Sequence, residues 1–307
     1  MNSLTIFTAP KPFTVPHIST IQRNAIRSWQ QLGENVCIIL LGDDSGIQAA
    51  AEELGVLHIP DVKCNEKGTP IVSSMLDLVR ARCPSSIYMI INTDIILRPE
   101  TIKSIQAVNR SAEKYLLVGQ RWDLAVDNEL AFTPGWEKDL QKELETHGKL
   151  HPRGGSDYFI FPDVCYLSIP DFAIGRAGWD NWMIFEARRR NWKVVDDTRD
   201  IQVIHQNHDY RHLPDGKPHY RLPETFENVR LAGGSLTIFT LEDCNYWLKA
   251  GKVQKVAWTW KQFWREVEIF PLVGLKSFTL ARIFFAIFHP LKAYREIRAW
   301  MKKKITK

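Results

Sequence analysis

The sequence lacks several features that would assign it to a large class of proteins. Its five cysteines are widely spaced and include no C-x-x-C pair, so we expect a reducing compartment, no disulfide framework and no cysteine-based zinc site. No G-x-G-x-x-G follows the first apolar run, and no G-x-x-x-x-G-K-[ST] occurs anywhere, which argues against phosphate binding by a glycine-rich loop. The first residues do not resemble a signal peptide, because no basic segment precedes an apolar one.

Charge is divided unevenly along the 307 residues. The net charge is +5, yet residues 249–307 carry fourteen Lys and Arg against three acids, a local charge of +11 that leaves −6 for residues 1–248. A hydrophobic content of 45% is sufficient for a sizeable core in the acidic part. The basic segment favours a polyanionic partner, either a nucleic acid or an anionic bilayer surface.

Short apolar runs alternate with helical patterns in the first hundred residues. Runs that are apolar on both faces predict strands of a parallel sheet covered by helices on each side. The expected strands are residues 4–8, 36–41, 56–59 and 86–97, and the expected helices are residues 18–32, 47–54 and 71–82. Ligands of such sheets bind beyond the carboxyl ends of the strands. Three of these ends carry polar residues: Thr8-Ala9-Pro10, Asp43-Asp44 and Asn92-Thr93-Asp94.

The segment Ile90–Ile96 places the carboxylate of Asp94 between isoleucines. A buried, unpaired charge is costly, so Asp94 either caps a turn or binds a ligand. The segment resembles the D-x-D element of GT-A-type glycosyltransferases, which belong to the nucleotide-diphospho-sugar transferase superfamily. The resemblance implies that Asp94 is the principal ligand of a Mn²⁺ or Mg²⁺ ion that bridges the two phosphates of a nucleotide-sugar donor. Asn92 occupies the first acidic position of that element.

The resemblance extends over residues 3–212, because other parts of the family pattern follow in the same order. It implies that Asp43 or Asp44 contacts the nucleoside and that the loop containing Thr8 and Ala9 packs on the base. Arginines in loops beside Gly or Trp are candidates for holding the diphosphate; they are Arg121, Arg153 and Arg176. Sugar-nucleotide pyrophosphorylases share this fold, but their G-x-G-x-R loop is absent here.

Two aspartates are candidates for the catalytic base. Asp180 lies between Trp179 and Trp182 at the expected start of a helix, where the tryptophans could stack on a sugar and raise the pKa of the carboxyl group. The alternative is that Asp180 only caps the helix. Asp157 follows a glycine pair that suits the close approach of a ligand.

Three histidines follow an apolar run over residues 201–204. They are His205, His208 and His212, and Asp209 lies among them. The resemblance implies that one late histidine, His205 or His208, binds the same metal as Asp94. A zinc site built from these histidines is the alternative, and it would indicate a metal-dependent hydrolase.

The C-terminal segment combines aromatic and basic residues. Aromatic and aliphatic side chains recur at helical spacing on one face: Val256, Trp260, Phe263, Trp264, Val267 and Phe270. Residues 269–291 are more apolar but contain Lys276 and Arg282, so we expect an interfacial or re-entrant segment and no spanning helix. A polybasic end follows, and no nucleic-acid-binding motif accompanies the charge. The alternative is that these helices pack against the body of the same molecule.

Together these patterns predict an α/β protein with a GT-A-like, mostly parallel sheet flanked by helices and a C-terminal helical, membrane-associating extension. We expect a glycosyltransferase domain over residues 1–248 and a basic amphipathic tail over residues 249–307. The expected activity is sugar transfer from a nucleotide-sugar donor to a glycan or lipid-linked acceptor, as in polysaccharide biosynthesis. The expected location is cytoplasmic and peripheral, on an anionic membrane surface at the inner face of the cell membrane. The alternatives are the hydrolase and a catalytically inactive membrane scaffold.

Overall fold

A computed structural model describes residues 2–208 and 222–305 of the chain. The strands are β1 (Asn2–Thr8), β2 (Val36–Leu41), β3 (Leu57–Ile59), β4 (Ser85–Ile91), β5 (Ile95–Ile96), β6 (Tyr115–Val118), β7 (Arg121–Leu124), β8 (Lys149–Leu150), β9 (Tyr158–Pro162), β10 (Lys193–Asp196), β11 (Val203–Gln206), β12 (Tyr246–Lys249) and β13 (Lys252–Lys255). The helices are α1 (Pro16–Gln30), α2 (Ile47–Leu54), α3 (Val72–Arg82), α4 (Thr101–Asn109), α5 (Trp136–His147), α6 (Trp179–Arg189), α7 (Pro223–Ala232), α8 (Trp260–Val273), α9 (Phe278–Phe288) and α10 (Pro290–Ile305).

The strands form two sheets. The larger has nine strands in the order β13-β12-β10-β6-β9-β4-β1-β2-β3, and the smaller has four in the order β5-β11-β7-β8. In the larger sheet β4, β1, β2 and β3 are mutually parallel, whereas β9 runs antiparallel to both β4 and β6. This architecture confirms the predicted α/β class with a mostly parallel sheet flanked by helices.

Both faces of the larger sheet are buried at its central strands, which are apolar on both sides. Along β1, Phe7 packs into one core layer, whereas Leu4 and Ile6 pack into the other. The same alternation occurs along β4, where Tyr88 and Ile90 face the first layer. Period-two alternation between two apolar layers explains why the sequence shows continuous apolar runs here.

The strand predicted over residues 86–97 is interrupted. β4 ends at Ile91, and β5 begins at Ile95 in the smaller sheet, so Asn92, Thr93 and Asp94 form the connection between the sheets. The Ile95 amide donates to the Asn92 carbonyl at 3.2 Å, which closes a tight turn. Apolar periodicity does not reveal the interruption, since isoleucines flank it on both sides.

The expectation of no disulfide was wrong. Cys37 on β2 and Cys83 at the end of α3 form a disulfide, and Cys64, Cys165 and Cys244 are free. The two bonded cysteines are separated by 46 residues in sequence, but both lie in the same core layer. Sequence spacing could not show this pairing because the fold alone brings α3 against β2.

The larger sheet continues beyond residue 248, where the predicted tail begins. β12 lies beside β10 and pairs antiparallel with β13, so sheet residues extend to Lys255. The first helix after this sheet, α8, begins at Trp260. Val256, which the predicted helical pattern places on one face with Trp260, therefore lies before the helix. No helix among the described residues is both long and apolar enough to cross a membrane. The division into two domains stays a prediction.

Gly119, directly after β6, is expected to tolerate no side chain. A Cβ atom there would overlap the hydrogen-bonded Asp197 carboxylate and Tyr158 hydroxyl, and it would lie 3.0 Å from the Thr198 amide nitrogen. We predict that Gly119→Ala lowers the free energy of unfolding by about 1–3 kcal/mol, measured by urea denaturation. The matched control is Gly154→Ala, since no atom lies within 4 Å of a Cβ at Gly154. Equal stability of the two variants would contradict this packing.

Candidate active site

The candidate site lies at the carboxyl edge of the larger sheet, where the Asp94 turn meets the end of β11. β5 pairs antiparallel with β11, with Ile95 opposite His205. The Gln206 amide donates to the Asp94 carbonyl at 3.0 Å, which fixes the turn against the strand. The smaller sheet therefore brings Asp94 beside two histidines that are more than a hundred residues away in sequence.

Asp94, His205 and His208 form one cluster of metal-binding side chains. His208 Nε2 lies 3.0 Å from Asp94 Oδ2, and His205 Nε2 lies 3.8 Å from the same oxygen. One nitrogen or oxygen atom from each side chain lies within 4.8 Å of the others. The side chains of Asp94 and His208 are only 13% and 5% exposed. His212 and Asp209 lie outside the described residues.

The environment keeps Asp94 ionised. Burial by itself raises the pKa of the Asp94 carboxyl, but the hydrogen bond to His208 and the charges of His205 and Lys11 outweigh burial. The pKa of Asp94 therefore lies well below its ordinary value. The second carboxylate oxygen, Oδ1, is buried and makes no hydrogen bond within the described part of the chain. A divalent cation fits this set of donors, because a carboxylate and imidazole nitrogens are common metal ligands.

Lys11 is a member of the site that the sequence analysis missed. Its Nζ atom lies 3.4 Å from His208 Nε2, and burial lowers the pKa of the ammonium group while the charge of Asp94 raises it. Two hydrogen bonds between the Lys11 backbone and the Gln22 side chain, at 2.7 and 2.9 Å, hold the loop against α1. Its position in the first loop after β1, directly beyond Ala9 and Pro10, is the signal that could have identified it.

Asp157, Asn92 and Arg121 form a second polar network next to the cluster. The Asn92 side-chain amide donates to Asp157 Oδ1 at 2.8 Å, and Arg121 Nη1 donates to the same oxygen at 2.7 Å. Arg121 Nε also donates to Asp123 at 2.9 Å. The guanidinium charge of Arg121 is therefore balanced inside the protein, and its predicted contact with a diphosphate stays a prediction.

Asp123 connects this network to the metal-binding cluster and was also missed. Its carboxylate lies 2.8 Å from His151 Nδ1 and 3.2 Å from His205 Nδ1, although the second contact lacks hydrogen-bond geometry. A carboxylate beside Nδ1 favours an orientation in which Nε2 of His205 faces Asp94. No motif marks Asp123 in the sequence, because it contributes through the pairing of β7 with β11.

Asp180 is the first acidic residue of α6. Gly178 is the N-cap residue of this helix, and its amide donates to Asp180 Oδ1 at 2.9 Å, so the carboxylate accepts a hydrogen bond at the helix N-terminus, where the helix dipole favours negative charge. Burial raises the pKa of Asp180, and the charge of Asp157 adds to the increase, so the two aspartates lie near each other.

Trp179 and Trp182 do not flank an open sugar site, since both are buried and pack on Phe159 and Phe172. The expectation that they stack on a sugar was wrong, because their side chains belong to the core.

The predicted nucleoside-binding residues lie on the same edge. β1, β2 and β4 are parallel, so Thr8, Asp43 and Asn92 follow three neighbouring carboxyl ends. Thr8 Oγ1 and Thr93 Oγ1 are hydrogen-bonded at 2.8 Å and buried, which ties the first loop to the Asp94 turn. Ala9 is partly buried, and both Asp43 and Asp44 are exposed. The other two arginines are paired, Arg153 with Asp196 and Arg176 with Glu224.

Comparison with known proteins finds many solved structures that are distantly similar. No protein-family model matches the sequence, and no curated protein matches it. Glucosyl-3-phosphoglycerate synthase from Mycobacterium tuberculosis, in complex with Mn²⁺, UDP-glucose and phosphoglyceric acid, is similar at 14% identity and a TM-score of 0.47, over 76% of this chain and 80% of that chain. TarS from S. aureus, in complex with UDP-GlcNAc, is similar at 10% identity and a TM-score of 0.32, over 43% of this chain and 38% of that chain. Similarity at this level assigns neither an activity nor a ligand to this chain.

Arg121 is expected to stabilise the site by neutralising two carboxylates. Its side chain is 15% exposed and that of Asp157 is 9% exposed, so removal of the guanidinium leaves a nearly buried carboxylate without its cation. We predict that Arg121→Leu lowers the free energy of unfolding by about 3 kcal/mol in urea denaturation. Arg27→Leu is the control, because Arg27 pairs with the more exposed Glu53 and Glu129 and should contribute less than about 1 kcal/mol. A similar loss in both variants would contradict the special role of Arg121.

Proposed function

We propose that this protein is a metal-dependent glycosyltransferase that moves a sugar from a nucleotide-sugar donor to a glycan or lipid-linked acceptor. The observation that carries the proposal is the convergence of Asp94, His205 and His208 at the carboxyl edge of a mostly parallel sheet. The exposed Asp43 and Asp44 lie on the same edge, within the region where ligands of such sheets bind. The order of these residues along the chain also agrees with the GT-A pattern.

In this proposal Asp94, His205 and His208 hold a Mn²⁺ or Mg²⁺ ion. When bound, the ion would neutralise negative charge on the diphosphate of the donor. Asp43 or Asp44 accepts hydrogen bonds from the nucleoside, and the loop containing Thr8 and Ala9 packs on the base. Lys11 adds a positive charge 3.4 Å from His208, where it can attract a donor phosphate.

Asp180 is the proposed base for a reaction that inverts configuration. Its carboxylate would take the proton of the acceptor hydroxyl as the new glycosidic bond forms and the bond to the nucleoside diphosphate breaks. Burial and the charge of Asp157 raise the pKa of Asp180 towards a range in which it can accept this proton. Asp157 is the second candidate, but its oxygen already accepts hydrogen bonds from Asn92 and Arg121.

Binding of nucleotides tests the proposed donor site. We predict that UDP or GDP binds in a Mn²⁺-dependent manner in calorimetric titrations and that Asp94→Asn weakens this binding about 100-fold, because it removes the charged ligand. Asp139→Asn is the control, since this aspartate lies on α5 and its side chain is 82% exposed. Nucleotide binding that survives Asp94→Asn would refute the proposed metal site. Tight zinc binding without nucleotide binding would favour the hydrolase, and binding of neither ligand would favour the inactive scaffold.

The role of Asp180 is tested separately from donor binding. Asp180→Asn keeps an oxygen that can accept the Gly178 hydrogen bond but removes the base, so we predict about a 10²–10⁴-fold lower rate with unchanged nucleotide affinity. The measurement is release of nucleoside diphosphate from the donor with water as acceptor, again with Asp139→Asn as control. Only the ionised carboxylate can accept a proton, and the pKa of Asp180 is raised. As the pH is lowered, the wild-type rate should therefore begin to fall at a pH above the ordinary pKa of an aspartate. A variant with the wild-type rate would exclude Asp180 as the base.

A further inference from the structure

The C-terminal helices expose a contiguous group of aromatic rings. We call it the aromatic cluster, and its members are Trp258, Trp260, Phe263, Trp264 and Phe288. The rings of Trp260 and Phe263 are stacked at 5.7 Å between centroids, and Trp264 reaches Phe288 on α9 at 6.1 Å. Trp258 and Trp260 are 72% and 74% exposed. Scattered apolar residues are ordinary on a surface, whereas a contiguous exposed patch indicates a binding surface.

The charged residues of the same helices are arranged asymmetrically. Glu266 pairs with Arg188 of α6, and Glu268 pairs with Arg265 and His289, so two of the three acids are neutralised within the protein. Several basic residues of these helices, of the turn between α8 and α9 and of the preceding strand β13 are exposed and form no ion pair with any described residue: Lys252, Lys255, Lys276, Arg282, Lys292, Arg295 and Arg298. The exposed charge of this segment that has no ion-pair partner among the described residues is therefore mainly positive.

We propose that the aromatic cluster and these basic residues dock the protein peripherally on an anionic lipid bilayer. Tryptophan rings suit the interface between headgroups and acyl chains, and lysine and arginine suit anionic headgroups. A cavity of about 380 Å³ in the same helices is lined by apolar residues such as Leu272 and Phe285, by the basic residues Lys292 and Arg295 and by the acids Glu268 and Glu296. The charge of −6 on residues 1–248 would be repelled by the same bilayer, which orients the protein on it.

The docking surface is connected to the helix of the proposed base. Arg265 on α8 lies over the Phe239 ring at 5.3 Å, and the Asn181 side chain donates to the Phe239 carbonyl at 2.8 Å. Asn181 directly follows Asp180 in α6. Because α8 carries Trp260 and Trp264 and Arg188 of α6 pairs with Glu266 of α8, docking would hold α6 and its Asp180 one helix away from the bilayer. This consequence, which rests on the proposed function, favours a lipid-linked acceptor over a soluble glycan.

Vesicle co-sedimentation of the full chain tests the docking. We expect binding to phosphatidylcholine vesicles that contain phosphatidylglycerol, little binding to phosphatidylcholine alone, and weaker binding at high salt. Trp260→Ser with Trp264→Ser should lower the partition coefficient at least about tenfold, because the rings can no longer insert. Lys292→Gln and Arg295→Gln should each lower it about fivefold.

Matched controls separate docking from folding and from donor binding. Leu167→Ser and Lys142→Gln alter exposed residues outside the C-terminal helices and should bind vesicles like the wild type. All variants should retain the wild-type circular dichroism spectrum and Mn²⁺-dependent nucleotide binding, so failure of docking is distinguishable from failure of the proposed function. Equal binding to neutral and anionic vesicles, or unchanged binding of the tryptophan variant, would overturn the proposal. The proposal would also be overturned by analytical ultracentrifugation in which the wild type is a dimer and the tryptophan variant is a monomer, because a second copy would then cover the cluster.

Discussion

The contact between the Asp94 carboxylate and the His208 imidazole is the interaction on which the candidate site depends. A carboxylate that is 13% exposed is costly unless positive or polar groups surround it, and here His208, His205 and Lys11 supply them from two separate parts of the chain. The contact requires β4 to stop at Ile91, so that β5 can enter the smaller sheet and pair with β11. The break in an otherwise apolar strand is thus the feature that brings the first loop, the turn and the histidine segment together.

The charges next to this contact alternate in sign, which makes a polar interior acceptable. Arg121 lies between the carboxylates of Asp123 and Asp157, and Asp123 lies between Arg121, His151 and His205. Each ion therefore has a partner of opposite charge or a hydrogen-bond donor, and the network spans the junction of the two sheets. A metal ion bound by Asp94 and the histidines would extend this alternation, since Asp94 Oδ1 is the carboxylate oxygen of the cluster that is buried without a hydrogen bond to any described residue.

The parts of the fold that sequence reasoning predicts are those controlled by local periodicity. The strand beginning at Val36 and the helix beginning at Ile47 lie where apolar spacing indicates them, and the strand-end rule correctly brings Asp94 and Asp43 to one edge. Lys11 and Asp123 were missed because their positions depend on long-range pairing, which leaves no local pattern. The predicted role of Trp179 was wrong for a related reason. A tryptophan directly after a glycine-containing loop gives the same local sequence pattern whether its side chain faces a ligand or the core.

The electrostatics of the strand edge explain why a cation belongs in the proposed reaction. Six carboxylates lie in or next to the site, those of Asp43, Asp44, Asp94, Asp123, Asp157 and Asp180, against the basic side chains of Lys11 and Arg121. An anionic diphosphate that approached this edge alone would meet an excess of negative charge, and Arg121 is already neutralised by two carboxylates. A divalent ion at Asp94 would reverse the local sign where the diphosphate must lie, because its charge exceeds that of the single carboxylate that holds it. The acidic character of the edge therefore favours a donor that arrives with a metal ion over one that binds by protein cations alone.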